Sequence, residues 1–147
     1  MKAMKMTSHI LLAEDDADDR ELFVEAFSII NPSATIAVVE NGEQLMDHLN
    51  RADHIPDCIF LDLNMPRKNG KECLIEIKGN ERTENIPVII YSTSLNTKDI
   101  DETFEGGASC FIRKPNRFKD LQALLNKCMA SAVSSPLLRR RGNFVLK

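Results

Sequence analysis

The chain has 147 residues, of which 43% are hydrophobic and 28% are charged, and its formal net charge is −3. This length suits one compact domain rather than two. The slightly acidic balance argues against nucleic-acid binding through overall charge. No apolar run approaches the roughly 18 residues that are needed to cross a bilayer, so we expect no membrane association.

The four cysteines are widely spaced, and each stands among apolar residues: Cys58, Cys73, Cys110 and Cys128. Small buried side chains are therefore a better interpretation than disulfides or a metal site. This use of cysteine favours a reducing compartment, and we expect the protein in the cytoplasm. The three histidines do not have the spacing of metal ligands.

Short apolar runs alternate with segments of helical periodicity along most of the chain. The expected strands are residues 10–13, 35–39, 58–61, 87–92 and 109–112. The expected helices are residues 17–30, a second that begins after 40–42, 70–78, 96–105 and a fifth that begins after Asn116. Five strands alternating with five helices predict an α/β fold, a doubly wound parallel sheet with helices on both faces.

These elements form one predicted domain over residues 8–133, between an N-terminal tail, 1–7, and a C-terminal tail, 134–147. The C-terminal tail mixes an arginine triplet with apolar residues. Two interpretations stay open. It is a disordered tail, or it is an arm that docks on a partner or on a second copy of the chain in a homodimer.

Polar residues follow the ends of four predicted strands. Glu14 and Asp15 follow the first, Asp62 the third, Ser92 ends the fourth, and Lys114 follows the fifth. The carboxyl ends of parallel strands share one edge of the sheet, where ligands bind in this kind of fold. If the first strand is central, these side chains meet in one pocket.

Any one of these residues taken alone reads as an ordinary loop residue or helix cap. Asp16 is such a case, because it stands where the N-cap of the first helix is expected. Asp18 and Asp19 are expected to favour the dipole of that helix from its first turn. The argument for a site depends on the joint placement of the residues after several strands.

Carboxylates that lie close together must protonate, separate or bind a cation. A set of oxygen ligands with room for phosphate oxygens suits Mg²⁺. Lys114 would pair with an incoming phosphoryl oxygen, and the Ser92 hydroxyl would donate to the same group. Asp62, on a loop after a rigid strand, then has the placement of a nucleophile that forms an aspartyl phosphate.

Four separate segments carry a family resemblance: ILLAEDD (10–16), FLDLNMPRKNG (60–70), IPVIIYSTS (86–94) and GASCFIRKP (107–115). In order and spacing they resemble the receiver domains of two-component response regulators. The resemblance covers about residues 8–131. Within the family, the chain is similar to the single-domain regulators that accompany bacteriophytochrome-type kinases. It implies a CheY-like, flavodoxin-like fold with strand order 2-1-3-4-5.

The resemblance also implies roles for the acidic residues. Asp62 takes the position of the phosphoacceptor. The ligands of Mg²⁺ (or Mn²⁺) would be Asp15, Asp62 and the backbone carbonyl of Asn64, with Glu14 acting through water.

The resemblance also places Lys114 at the family's lysine position, which binds the phosphoryl group. Pro115 takes the position of a cis-proline that follows this lysine. Ser92 and Phe111 would form the switch. Phe111 lacks the hydroxyl of the tyrosine common at this position. Its movement would therefore be transmitted by side-chain packing alone, without a change in hydrogen bonding. The face formed by the fourth helix, fifth strand and fifth helix would then change.

The implied function is that of a stand-alone regulator in a two-component phosphorelay. It would accept a phosphoryl group from a histidine kinase or phosphotransfer protein and signal to a downstream protein. Its own chemistry would be limited to Mg²⁺-dependent self-phosphorylation and autodephosphorylation, so it is not expected to be an enzyme with a separate substrate. Asn64 and Ser94 occupy positions that tune the lifetime of the acyl phosphate.

Three other classes fit the sequence less well. The segment STSLNT (92–97) resembles the phosphate loop of flavodoxins, but it follows the fourth strand rather than the first. A haloacid-dehalogenase-type phosphatase needs a second acid at the position of Asn64, and a nucleotide-binding P-loop motif is missing from the sequence. A pseudo-receiver that serves only as an interaction module would lack one of the site residues, all of which are present.

Overall fold

A parallel β-sheet with helices on both faces organises the chain. The computed structural model describes residues 8–51, 53, 55–130 and 140–146. The strands are β1 (His9–Ala13), β2 (Thr35–Val39), β3 (Cys58–Leu61), β4 (Val88–Ser92), β5 (Cys110–Arg113) and β6 (Val145–Leu146). The helices are α1 (Ala17–Ile30), α2 (Gly42–Arg51), α3 (Gly70–Lys78), α4 (Thr97–Glu105) and α5 (Phe118–Ala130). A short 3-10 turn spans Arg141–Asn143.

The strands are arranged in the order β2-β1-β3-β4-β5-β6, and every pair is parallel. The predicted α/β class and the order 2-1-3-4-5 are thus confirmed. The predicted count of five strands is wrong by one, because β6 adds to the outer edge of β5. Within the described residues, no helix is long and apolar enough to span a membrane.

Successive side chains along each strand point to opposite faces of the sheet, which divides the core into two apolar layers. Leu11 and Ala13 of β1 face the layer with α2, α3 and α4, whereas Ile10 and Leu12 face the layer with α1 and α5. All four side chains are fully buried. A strand buried on both faces reads as a continuous apolar run, which is why ILLA and CIFL stand out in the sequence. This two-sided burial gives the carboxyl ends of β1 and β3 a rigid base.

The start of α3 lies directly against the loop that follows β3. Asn69 caps α3 by accepting from the backbone N–H of Glu72, and the Glu72 side chain accepts in return from the N–H of Asn69. A Cβ on Gly70 would overlap the backbone carbonyl oxygen of Asp62. The loop can therefore return this tightly only with glycine at that position.

The sixth strand belongs to the part of the chain that the sequence assigned to a C-terminal tail. Val145 pairs with Phe111 and Leu146 with Ile112, and the N–H of Phe111 donates to the carbonyl of Phe144 at 2.9 Å. The Phe144 side chain is only 1% exposed. Its ring centroid lies 5.2 Å from that of Phe104 on α4 and 6.2 Å from that of Phe111 on β5. Residues 1–7, 131–139 and 147 lie outside the described residues, and so does much of the predicted tail.

Replacing Phe144 with alanine should destabilise the domain, because it empties a buried aromatic site between α4 and β5. We expect the free energy of unfolding to fall by about 3–5 kcal/mol, the range for a buried phenylalanine. Urea unfolding followed by circular dichroism measures the change. The matched control is Ile75→Ala on α3, whose side chain is 70% exposed and should change stability by about 0.5 kcal/mol or less. A similar small change for Phe144→Ala would contradict the docking of this segment.

Candidate functional site

Three carboxylates meet at the carboxyl edge of the sheet. β1 and β3 are neighbours with Ala13 opposite Leu61, so the residues that follow each strand end at the same level. The backbone N–H of Asp62 donates to the carbonyl of Ala13 at 3.1 Å, which ties the two strand ends together. Carboxylate oxygens of Glu14, Asp15 and Asp62 all lie within 4.8 Å of one another. Glu14 and Asp62 are buried, and Asp15 is exposed.

Lys114 reaches this acidic cluster from the far side of β4. Its backbone N–H donates to the carbonyl of Ser92 at 2.8 Å, which fixes the root of the side chain at the end of β5. The Nζ atom lies 2.6 Å from Oε1 of Glu14, 2.9 Å from Oδ2 of Asp19 and 3.6 Å from Oδ2 of Asp62. The Lys114 side chain is only 9% exposed. One buried ammonium is thus shared among three carboxylates.

The remaining predicted site residues lie at the same edge of the sheet or close to it. Ser92 is fully buried at the end of β4, and its Oγ accepts from the N–H of Ser94 at 3.3 Å. The N–H of Asn64 donates to Oδ1 of Asp62 at 3.2 Å, which orients that carboxylate. Asn64 is exposed and Ser94 is half-buried. Phe111 is fully buried further back on β5, where its ring contacts Phe144.

Burial of several acids around one cation shifts their proton affinities. Burial raises the pKa of Glu14 to about 8, against 4.5 for an ordinary glutamate, and Lys114 only partly offsets this. Burial also raises the pKa of Asp62 above its usual 3.8. Burial opposes the charging of Lys114, but its bonds to Glu14 and Asp19 outweigh that effect and its pKa is raised. The ammonium stays charged, and the excess negative charge falls on the acids.

This donor set fits a hard divalent cation. Oε1 of Glu14 is buried 2.6 Å from the Lys114 ammonium, but that ammonium is shared with Asp19 and Asp62, so the charge of Glu14 is only partly neutralised. The neighbouring ligands are all oxygens, as Mg²⁺ and Mn²⁺ prefer. Asp15 and Asn64 also line an open cleft of about 510 Å³ beside the cluster. A cation entering from this cleft would balance the excess negative charge of the acids.

The sequence missed one member of the cluster. Asp19 was expected only to favour the helix dipole, and its side chain instead contacts Lys114, which lies 95 residues away along the chain. Asp16 does cap α1 as predicted, by accepting from the N–H of Asp19 at 2.9 Å. The available signal was weak, since an acid in the first turn of a helix is common in any protein.

A second expectation needs correction. The resemblance implied a cis peptide bond before Pro115, but among the described residues every peptide bond is trans. For a bond that precedes proline, the two isomers differ by only about 0.5–1 kcal/mol, so local packing decides between them. Lys114 reaches the cluster with the trans form.

The comparisons with known proteins agree with this geometry. The family model for the response regulator receiver domain matches residues 10–126. The chain belongs to this family. The predicted resemblance is therefore confirmed. Receiver domains are signalling phosphoacceptors rather than classical enzymes, they bind divalent metal ions, and they interact with histidine kinases and downstream targets.

Several relatives of this receiver domain are response regulators, and two of them, RcpA and RtBRR, are response regulators of a phytochrome and a bacteriophytochrome. Response regulator Rcp1 from Synechocystis is 33% identical over 117 residues, which cover 76% of this chain and 80% of Rcp1. The Mn²⁺-bound form of Rcp1 superposes with a TM-score of 0.77 at 30% identity, covering 86% of this chain and 94% of that one. The phosphorylated cyanobacterial phytochrome response regulator RcpA also gives 0.77, at 31% identity, with 84% and 94% covered. The bacteriophytochrome response regulator RtBRR gives 0.71 at 32% identity, with 81% and 76% covered.

The raised pKa of Glu14 predicts a pH-dependent stability in the metal-free receiver domain. Between about pH 4.5 and 8 the folded state holds a proton that the unfolded chain has already released, so stability falls as the pH rises. Glu14→Gln removes this ionisation. Over that range we expect the free energy of unfolding of the variant to fall by about 1–3 kcal/mol less than that of the wild type. A smaller loss remains in the variant, because the pKa of Asp62 is raised as well.

The measurement is urea unfolding at four pH values from 5 to 8 in the presence of a chelator. Glu25→Gln, at an exposed position on α1, serves as the matched control and should keep the wild-type slope. If Glu14→Gln and Glu25→Gln gave the same dependence on pH, the buried carboxylate would not be the group that titrates.

Proposed function

We propose that this receiver domain accepts a phosphoryl group on Asp62 from a histidine kinase or phosphotransfer protein and then signals to a protein partner. One observation carries the proposal. The buried Asp62 carboxylate lies within an acidic cluster of metal-binding type and 3.6 Å from the Nζ of a buried lysine. A nucleophile, a cation site and a fixed positive charge are the parts that phosphoryl transfer to a carboxylate requires.

The proposed cation is Mg²⁺, with Mn²⁺ as a substitute. Asp15, Asp62 and the backbone carbonyl of Asn64 would hold it, with Glu14 acting through water. When bound, it would neutralise the charge of the phosphoryl oxygens and of the acids around them. The exposed Asp15 is accessible to a hydrated ion, and the uncompensated acids give that ion a strong electrostatic attraction.

In the transfer itself, an ionised carboxylate oxygen of Asp62 attacks the phosphorus of a phosphohistidine. The new P–O bond forms as the P–N bond breaks, and the histidine nitrogen leaves with the electron pair of that bond. The lysine ammonium and the Ser92 hydroxyl would hold oxygens of the transferred group. Catalysis of this kind depends on positioning and electrostatics, which a rigid sheet edge supplies.

The signal would pass through Ser92 and Phe111. Movement of Ser92 towards the new phosphoryl oxygens would open space for the Phe111 ring, biasing the face formed by α4, β5 and α5. One feature supports an α4 that can shift, because the helix buries only the side chains of Ile100 and Thr103. Few buried contacts make a helix easier to move.

The lifetime of the acyl phosphate would depend on how water reaches it. Asn64, which is exposed, and Ser94, which is half-buried, are small and polar, so they would leave the phosphoryl group accessible to hydrolysis. We also propose that the kinase partner is of the phytochrome type, since RcpA and RtBRR are response regulators of a phytochrome and a bacteriophytochrome. The net charge of −3 favours a protein target over a nucleic acid.

Replacing Asp62 with asparagine should abolish labelling of the receiver domain by a phosphodonor, because the amide cannot form an acyl phosphate. Purified protein is incubated with phosphoramidate and MgCl₂, and intact-mass spectrometry detects an added 80 Da, the approximate mass of one phosphoryl group. Adding EDTA to the wild type should lower labelling at least tenfold, since the acids then lack a counterion.

The matched control is Asp120→Asn, at an exposed position on α5, which should be labelled like the wild type. Labelling of Asp62→Asn at the wild-type rate would refute the assignment of the phosphoacceptor. Labelling that is equally fast with and without EDTA would refute the role of the metal.

A further inference from the structure

The contact between Asp19 and Lys114 gives the first turn of α1 a place in the phosphoacceptor site. The Asp19 carboxylate accepts a hydrogen bond from Lys114 Nζ at 2.9 Å, whereas Asp62 lies 3.6 Å from the same atom and receives no hydrogen bond from it. Lys114 is thus held more tightly by a residue outside the expected acid set than by the nucleophile. This difference of 0.7 Å separates a charge-assisted hydrogen bond from a loose ion pair.

The Asp19 carboxylate can bind Lys114 because the cap of α1 uses only the backbone N–H of Asp19. Its backbone N–H completes the cap of α1 by donating to Oδ1 of Asp16. The neighbouring Arg20 donates to the backbone carbonyls of Glu14 and Asp15, at 3.0 Å each, which holds the loop after β1 against the same turn. The Asp19 carboxylate is therefore fixed in space, and its side chain is only 31% exposed.

The surroundings of Lys114 decide what its ammonium would do without Asp19. Glu14 would keep one N–H, and the Tyr91 ring, with its centroid 5.3 Å from Nζ, offers only a π face. Because the side chain is 9% exposed, little water is available to accept the released N–H. Among the described residues, the other carboxylate within ion-pair distance of Nζ is that of Asp62. A direct bond there would occupy a lone pair of the nucleophile.

We propose that Asp19 is a positioning residue for phosphoryl transfer, which holds the Lys114 ammonium off the Asp62 carboxylate so that the attacking oxygen stays free. This proposal rests on the function proposed above. In it, Glu14 and Asp19 fix the ammonium beside the nucleophile, near enough to pair with phosphoryl oxygens and too far to block the attack. Asp19 acts through Lys114 and does not contact the reacting atoms.

Asp19→Ala and Asp18→Ala form a matched pair that tests the proposal. Both remove an acid from the first turn of α1, but Asp18 is exposed and forms no hydrogen bond or ion pair with Lys114. With phosphoramidate and saturating MgCl₂, we expect Asp19→Ala to be phosphorylated about 5- to 10-fold more slowly than the wild type. Asp18→Ala should stay within about twofold. Asp19→Asn, which retains an oxygen acceptor, should give an intermediate rate.

A second readout follows the lysine itself without metal or phosphodonor. In a crystal structure of metal-free Asp19→Ala, we expect Nζ to lie within about 3 Å of an Asp62 carboxylate oxygen, the distance of a charge-assisted hydrogen bond. A merely structural role for Asp19 would leave that distance unchanged. If Asp19→Ala does not fold, Asp19→Asn carries both measurements.

Two results would overturn the proposal: equal rates for Asp19→Ala and Asp18→Ala, or an ammonium that stays beyond hydrogen-bond distance of Asp62 in the Asp19 variant. Faster phosphorylation of Asp19→Ala would do the same. The proposed function would fail differently, through a wild type that no phosphodonor labels on Asp62. In that case the position of Nζ in the variant still decides the role of Asp19.

Discussion

The balance of charge around one buried ammonium governs the rest of this structure. Lys114 is within ion-pair distance of three carboxylates, and Asp15 adds a fourth acid to the same edge of the sheet. One positive charge cannot neutralise this set, so the acids hold protons more tightly than usual or attract a cation. The same imbalance makes the site receptive to a divalent metal and sensitive to the arrival of a phosphoryl group.

Such a cluster persists because the sheet beneath it cannot relax. β1 and β3 are buried on both faces, and backbone bonds tie their ends together before the chain turns to Glu14 and Asp62. The capped start of α3 and the first turn of α1 close the site from two sides. Close packing of this kind transmits strain rather than absorbing it, which suits a domain whose output depends on small movements.

The C-terminal segment joins the region that is proposed to change. Phe144 packs between Phe104 of α4 and Phe111 of β5, and β6 covers the outer edge of the sheet. A ring change at Phe111 therefore involves a neighbour from the end of the described chain. The face formed by α4, β5 and α5 includes this segment as a structural part.

The sequence by itself determined what depends on local patterns. Continuous apolar runs identified the strands buried on both faces, and the polar residues after them located the site edge, including Glu14, Asp62 and Lys114. Only the tertiary structure decided which side chain holds the lysine and where the last strand lies. The contact between Asp19 and Lys114 joins residues 95 positions apart, and β6 is too short to show any periodicity. Long-range contacts between polar residues of common surface types leave no local pattern in a sequence, so only the tertiary structure shows them.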